Sequence, residues 1–294
     1  MSRSSPAVDR VVAVVELLAV HPERPFSLSE LCRRLDLNKA TAHALLSSLT
    51  ERSWLLRHPE DKTFTLGPGL VAVAGAAAAR QLELVDYARA EMRTLADELD
   101  VQCVASAVRG DDIVLLAVAG AARPLSVNVH AGQRVPLTPP LGTVFMAWSP
   151  PEEIDRWLRR LGPPGESPAA GGAALARYRQ AVDVVRRRGY ALSLEADARV
   201  LLERALSAGR DRPLAEVLDE LGRQDYLLLE LEPAHSYRLS LMAAPVFGPE
   251  GTVVLALSLF DLPAAIDADR VPALAERLVG AADTVTKAIG GRVP

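Results

Sequence analysis

The side chains best suited to chemistry cluster near the start of the chain. Lys39, Thr41, His43 and Ser47 follow Asn38 at helical spacing, and Arg57, His58 and Lys62 follow in a charged loop. Cations, hydroxyls and an imidazole shown on one helix face and a nearby loop are groups that bond phosphate oxygens and base edges. Catalytic patterns are missing. No Gly-x-x-x-x-Gly-Lys-Ser/Thr, Gly-x-Gly-x-x-Gly or Gly-x-Ser-x-Gly stands at a strand–helix junction, so nucleotide and hydrolase signatures are absent. His21, His43, His58, His130 and His235 have neither the spacing of a zinc helix nor a nearby cysteine pair, so no metal or other cofactor is expected. Glu152-Glu153 and Glu230/Glu232 are paired carboxylates, the second pair on one side of a strand by its period of two. Nothing nucleophilic or phosphate-binding accompanies them, which leaves a small-molecule enzyme as a remote alternative.

The elements that must position the basic and hydroxyl groups are legible. Residues 8–20 read as a helix that His21-Pro22 stops, because proline cannot continue it. Ser27 and Glu30 form a capping-box pattern ahead of Leu28, Leu31 and Leu35. Asp36-Leu37-Asn38 breaks that helix, and Asn38 caps a third that runs to about Glu51. In the third helix Ala42, Leu45, Leu46 and Leu49 form the apolar stripe, and the polar groups fall mostly away from it. Ser53–Leu56 and Thr63–Leu66 read as strands joined by the loop RHPEDK. Two helices, a tight turn and a hairpin match a winged helix-turn-helix, with the third helix entering the major groove of double-stranded DNA. Residues 26–66 carry six basic and five acidic side chains, so one copy should bind weakly. Two copies would place helices in successive grooves about 34 Å apart. A winged helix used only for dimerisation or protein docking is the alternative.

Composition bounds the rest. The 294 residues are 49% apolar with a formal charge of −4, which excludes a protein that coats nucleic acid over its whole surface. Cys32 and Cys103 are too few for a disulfide framework. The longest apolar run, Leu70–Ala79, falls well short of the roughly 20 residues of a membrane span. The opening MSRSSPAVDR lacks the apolar core of a signal peptide, so the expected location is the cytoplasm.

Beyond residue 67, an Ala-rich helix over 68–82 reads as a linker and a dimer contact, with a second helix over Leu84–Leu99. Strands are expected at Val101–Val108, Ile113–Val118, Ser126–Val129, Tyr190–Leu194, Tyr226–Glu230, Tyr237–Pro245 and Thr252–Phe260. Helices are expected at Leu141–Trp148, Pro151–Leu161, Leu175–Arg188, within 198–222, and at Val271–Ile289, with a loop over 162–173. Hairpin-paired strands with helices between them argue for an α+β domain on an antiparallel sheet.

Together these segments resemble the IclR family of bacterial transcriptional regulators. The resemblance rests on AVDRVVAVVELLA, FSLSELCRRLDLNKATAHALLSSL and RHPEDKTFTLGPGLVAVA, then on GQRVPLTPPLGTVFMAW, VVRRRGYALSLE and MAAPVFGPEGTVVLALSL. It implies a winged helix-turn-helix at 1–67, a linker helix at 68–82 and a GAF-like effector-binding domain at 83–294. It also implies a homodimer or homotetramer that binds a palindromic operator and responds to a small molecule. By that resemblance Asn38, Lys39, Thr41, His43, Ser47, Arg57, His58 and Lys62 face DNA. Leu137, Thr143, Met146, Tyr190, Leu241 and Met242 are the candidate effector contacts. The chain departs from the family pattern at several points: Ala44 stands where an arginine is usual, Ser53-Trp54 where Gly-Tyr is common, and Thr143 where lysine follows the glycine. The pocket cysteine is replaced in Ser240-Leu241-Met242, and an additional segment occupies 196–224. These replacements point to a larger, more apolar ligand, hydrophobic or aromatic, rather than a small acid.

Overall fold

The computed structural model describes residues 5–21, 24–121, 129–161, 172–195, 220 and 226–294. It divides into two compact units, Met1–Leu82 and Glu83–Pro294.

The first unit is built by capping and one apolar cluster. α1 (Pro6–Val20), α2 (Leu28–Leu35) and α3 (Lys39–Glu51) are followed by a hairpin of β1 (Leu55–Arg57) and β2 (Phe64–Leu66). Ser27 Oγ accepts from the Glu30 N–H at 3.3 Å, and Asn38 Oδ1 accepts from the Thr41 N–H at 2.8 Å. Each satisfies a backbone donor that a helix start leaves free. The Ser27 capping box is only half made, because the Glu30 carboxylate pairs with Arg24 and lies 3.6 Å from Arg34. Asp36 adopts a left-handed conformation that ends α2 and sends the chain into α3. Val14, Leu18, Phe26, Leu31, Leu46, Leu49, Leu55 and Phe64 share one core. The hairpin strands start later than Ser53 and Thr63, since Ser53 takes a positive φ within the turn that leaves α3.

α4 (Gly69–Leu99) is one helix of 31 residues where the sequence suggested two. The second unit continues with β3 (Gln102–Arg109), β4 (Asp112–Ala119), β5 (Arg134–Pro136), α5 (Thr143–Met146), α6 (Pro151–Leu158), α7 (Gly172–Arg188) and β6 (Ala191–Leu194). It closes with β7 (Ser236–Tyr237), β8 (Leu239–Phe247), β9 (Val253–Phe260), β10 (Ile266–Asp267) and α8 (Val271–Ala288). Six strands pair in the order β5-β4-β3-β9-β8-β6, all antiparallel, and β7 pairs with β10. The α+β reading with an antiparallel sheet holds. Its details shift in four places: Arg134–Pro136, read as loop, is a strand; the helix after Gly142 is a single turn; Tyr226–Glu230, expected as a strand, holds only an isolated bridge at Leu227; and Tyr237–Pro245 is interrupted at Arg238. The expected strand at 126–129 and the helices within 198–222 fall on positions outside the described residues, apart from 129 and 220.

α8 packs on β8 and β9. On the other side of the sheet α5, α6 and α7 enclose a core of Phe145, Trp157, Tyr178 and Val182 that reaches Ala191, Ala243 and Ala256. Among the described residues no helix is long and apolar enough to cross a membrane.

One buried group makes the first unit sensitive to acid. His21 Nε2 is buried without a hydrogen-bond partner, and the ring lies 5.7 Å from Phe26. Desolvation lowers its pKa, and the nearby cations Arg34 and Arg24 add to the effect, with Glu30 opposing. The folded state thus favours neutral imidazole. Stability is full above the ordinary histidine pKa of about 6.5 and falls as pH drops below it, because the unfolded chain takes up the proton first. Thermal melting of the first unit should shift downward on acidification toward pH ~5.5, and His21→Phe should flatten that dependence. Equal slopes in the two proteins would contradict the assignment.

Candidate functional site

In the first unit, α3 is divided by its own periodicity. Ala42, Leu46 and Leu49 are buried, while Lys39 and His43 are exposed and Ser47 is half-buried. Lys39, His43 and Ser47 recur every four residues and form a ridge that flanks the buried stripe, about a quarter turn from it. This ridge borders a groove that also takes in Ser27, Ser29, Thr50, Glu51, Arg57, Asp61 and Lys62. Five of the eight sequence candidates therefore meet in one place: Lys39, His43, Ser47, Arg57 and Lys62. Asn38 is engaged as a cap, and Thr41 and His58 lie outside the groove wall. His58 Nδ1 is 3.1 Å from Asp61, whose carboxylate also accepts from the Thr63 hydroxyl and N–H. Those Thr63 bonds hold the Asp61 pKa below the usual range and fix the tip of the hairpin. Ser27, Ser29 and Thr50 join the groove without a signal in the sequence, where Ser27 reads only as a cap; the place of the two serines beside α3 depends on how α2 packs.

The second unit contains a cavity of about 140 Å³ between the sheet and α5. Its floor follows from strand alternation. Val104, Ser258, Ala243 and Ala191 pair across β3, β9, β8 and β6 as one row. Ser106, Ala256 and Ser193 lie on the same face, two positions along their strands from members of that row. The intervening positions carry Leu192, Met242, Leu255, Leu257 and Leu259, all buried on the other face. Small residues toward the cavity and large ones away from it leave the space. The roof is Pro140 to Phe145. It is stapled to α6 by Trp157, whose indole N–H donates to the Leu141 carbonyl at 3.0 Å; just past α6, Arg160 donates to the Leu137 carbonyl at 2.9 Å, ahead of the roof.

Among the described lining residues none carries a charge. The polar ones are Ser106, Gln133, Thr143, Ser193, Ser258 and the phenol of Tyr226. Thr143 donates its hydroxyl to the Pro140 carbonyl at 2.8 Å, and Gln133 Oε1 accepts from the His130 N–H at 3.3 Å. Of the six effector candidates, Thr143 and Leu241 line the cavity. Met242 points to the opposite face of β8, one position out of phase. Leu137 and Met146 belong to the surrounding core, and Tyr190 sits under the Arg188 guanidinium. Cys103 also faces away, and burial pushes its thiol up to about 12, which leaves it unreactive at neutral pH. No group of acidic, histidine or cysteine side chains able to hold a metal is found among the described residues.

Two family models match in tandem. The IclR helix-turn-helix domain matches residues 7–59, and the C-terminal domain of the bacterial transcriptional regulator IclR matches residues 76–200. The chain belongs to the IclR family of transcriptional regulators. Its helix-turn-helix is thus a DNA-binding domain, and its second unit is the family's effector domain. A Cupriavidus necator protein named "Probable transcriptional regulator SauR" is 28% identical over 54% of this chain. That match spans 63% of the length of SauR. An IclR transcriptional regulator from Alicyclobacillus acidocaldarius superposes with a TM-score of 0.65 at 23% identity, covering 98% of this chain and 100% of that one. An IclR homolog from Microbacterium hydrocarbonoxydans, solved with 4-hydroxybenzoate, has a TM-score of 0.63 at 19% identity, covering 96% and 98%. At these identities the structures share the fold.

The sidedness of β8 gives a direct test. Ala243 faces the cavity, whereas its neighbour Ala244 is fully buried on the opposite face. Ala243→Leu should cost less than about 1 kcal/mol because the cavity receives the added methylenes, whereas Ala244→Leu should cost about 1–3 kcal/mol through overpacking. Denaturant unfolding of both variants measures the difference. Equal costs would mean that the two faces are not distinct.

Proposed function

We propose that this IclR-family chain is an effector-responsive regulator that binds a palindromic operator as a dimer or dimer of dimers. The observation that carries the reading is the groove in which the Lys39–His43–Ser47 ridge meets Arg57 and Lys62. The net charge of the winged region is small, so pairing of two copies is what raises phosphate contacts to a useful number. Exposed Val8 and Val12, one turn apart on α1, and exposed Val71 and Val73 at the start of α4 offer apolar surface for a second copy.

The effector is a neutral molecule with one ring or a similar volume and one or two hydrogen-bonding groups. A dry apolar cavity of roughly 150 Å³ accepts benzene, which is close to the size seen here. A solved homolog holds 4-hydroxybenzoate, a single-ring acid. This chain's described cavity wall offers no cation to a carboxylate, and burying an unpaired carboxylate is costly. The ligand is therefore apolar, as the sequence suggests, yet of single-ring size rather than larger.

Footprinting of the full chain on the DNA upstream of its own gene tests the regulator reading. A protected palindrome whose occupancy changes on adding a neutral single-ring aromatic is the expected result. Lys39→Ala should weaken binding and lower the slope of log affinity against log salt by about one. Absence of any protected site, with an unchanged salt slope in the variant, would favour an interaction module instead.

A further inference from the structure

β6 is the last strand of the six-stranded sheet, and Ala191 and Ser193 on it line the cavity. Residues 226–228 occupy its outer edge. The Leu194 N–H donates to the Tyr226 carbonyl at 2.7 Å, and the Leu228 N–H donates to the Leu192 carbonyl at 3.1 Å. Ser193 and Leu227 form an antiparallel bridge between them. This short piece of chain lies beyond the family match, which stops at residue 200. It nevertheless supplies two residues of the cavity wall, Tyr226 and Leu227, which are 5% and 7% exposed. Arg188 pins it down. Its Nη1 donates to the Leu228 carbonyl at 2.9 Å and its Nε to the Tyr190 carbonyl at 2.6 Å, with the guanidinium 4.9 Å from the Tyr190 ring centre. Burial pulls the Arg188 pKa down to about 10, so the group remains charged at neutral pH and keeps its donors in place.

We propose that Tyr226 is a specificity-determining residue of the effector cavity, setting the largest ligand it admits, and that Arg188 is the positioning residue that holds the 226–228 segment against β6. The proposal rests on the effector reading above. Tyr226 is part of the wall of a cavity of about 140 Å³, which has room for one ligand ring. Removing the Tyr226 side chain adds about one ring of volume.

Calorimetric titration of the full chain with phenol and with 1-naphthol tests this. The wild-type chain should prefer phenol. Tyr226→Ala should move the ratio of the two dissociation constants toward 1-naphthol by about tenfold or more, and Tyr226→Trp should move it the other way. The ratio cancels any loss of folded protein common to both titrations, and Tyr226→Leu serves if the alanine variant does not fold. Arg188→Ala should shift the ratio in the same direction as Tyr226→Ala, with partial recovery in Arg188→Lys. Phenol binding by the wild type with an unchanged ratio in the Tyr226 variants would overturn the size limit and leave the effector reading standing. Binding of neither compound by the wild type would overturn the neutral-ligand reading and the size limit together. An Arg188→Ala ratio equal to wild type would remove the positioning role.

Discussion

A strand alternates its side chains between two faces, and in β3, β6, β8 and β9 both faces are buried. Everything about the effector unit depends on how the residues are divided between those faces. The row Val104–Ser258–Ala243–Ala191 places three small side chains side by side, where a stability-driven core would carry branched aliphatics. An empty volume inside a protein forfeits packing energy. The opposite face supplies what the cavity face gives up. Leu192, Met242, Leu255, Leu257 and Leu259 are all within 1% of full burial, and each contributes about 1.5–3 kcal/mol on leaving water. The sheet is thus anchored from the α8 side and left open on the other for a ligand.

The same division of labour operates in α3, with a different period. Ala42, Leu46 and Leu49 anchor the helix to the Phe26–Leu31–Leu55 core, and that anchoring determines which side chains face outward. Lys39, His43 and Ser47 are presented beside the apolar stripe, which fixes the helix against the core. The Asn38 and Ser27 caps hold the helix starts, Ser27 doing so from within the groove wall. In both units, the proposed recognition surface is one that packing leaves free.

How far the sequence reveals this depends on how local each cause is. The winged helix-turn-helix is legible because caps, the turn at Asp36 and the apolar stripe lie within a few residues of one another. The strands of the sheet are legible as strands. Their facing is not: in β8 both Leu241 and Met242 are apolar, and only the register Met242↔Leu259 against Ala243↔Ser258 tells which turns toward the cavity. Leu137 and Met146 have the right composition for a lining, yet Leu137, just past β5, and Met146, at the end of the single turn of α5, both fall in the surrounding core. Tyr226 gives no local signal, since its role arises from pairing with β6 more than thirty residues earlier. Serines 106, 193 and 258 look like ordinary strand residues until neighbouring strands bring them onto one surface. The alternation of small and large residues in VVLALSLF is the trace that Ser258 leaves in the sequence.

The absence of charge from the described cavity wall is the most consequential of these features, because the proposed preference for a neutral ligand over a carboxylate of the same size rests on it. Calorimetric titration of the full chain with benzyl alcohol and with benzoate, matched in ring and volume, measures it directly. The alcohol should bind at least about tenfold more tightly, since the carboxylate would be desolvated without a cation to meet it. Tighter binding of benzoate would contradict the neutral cavity and the reading built on it.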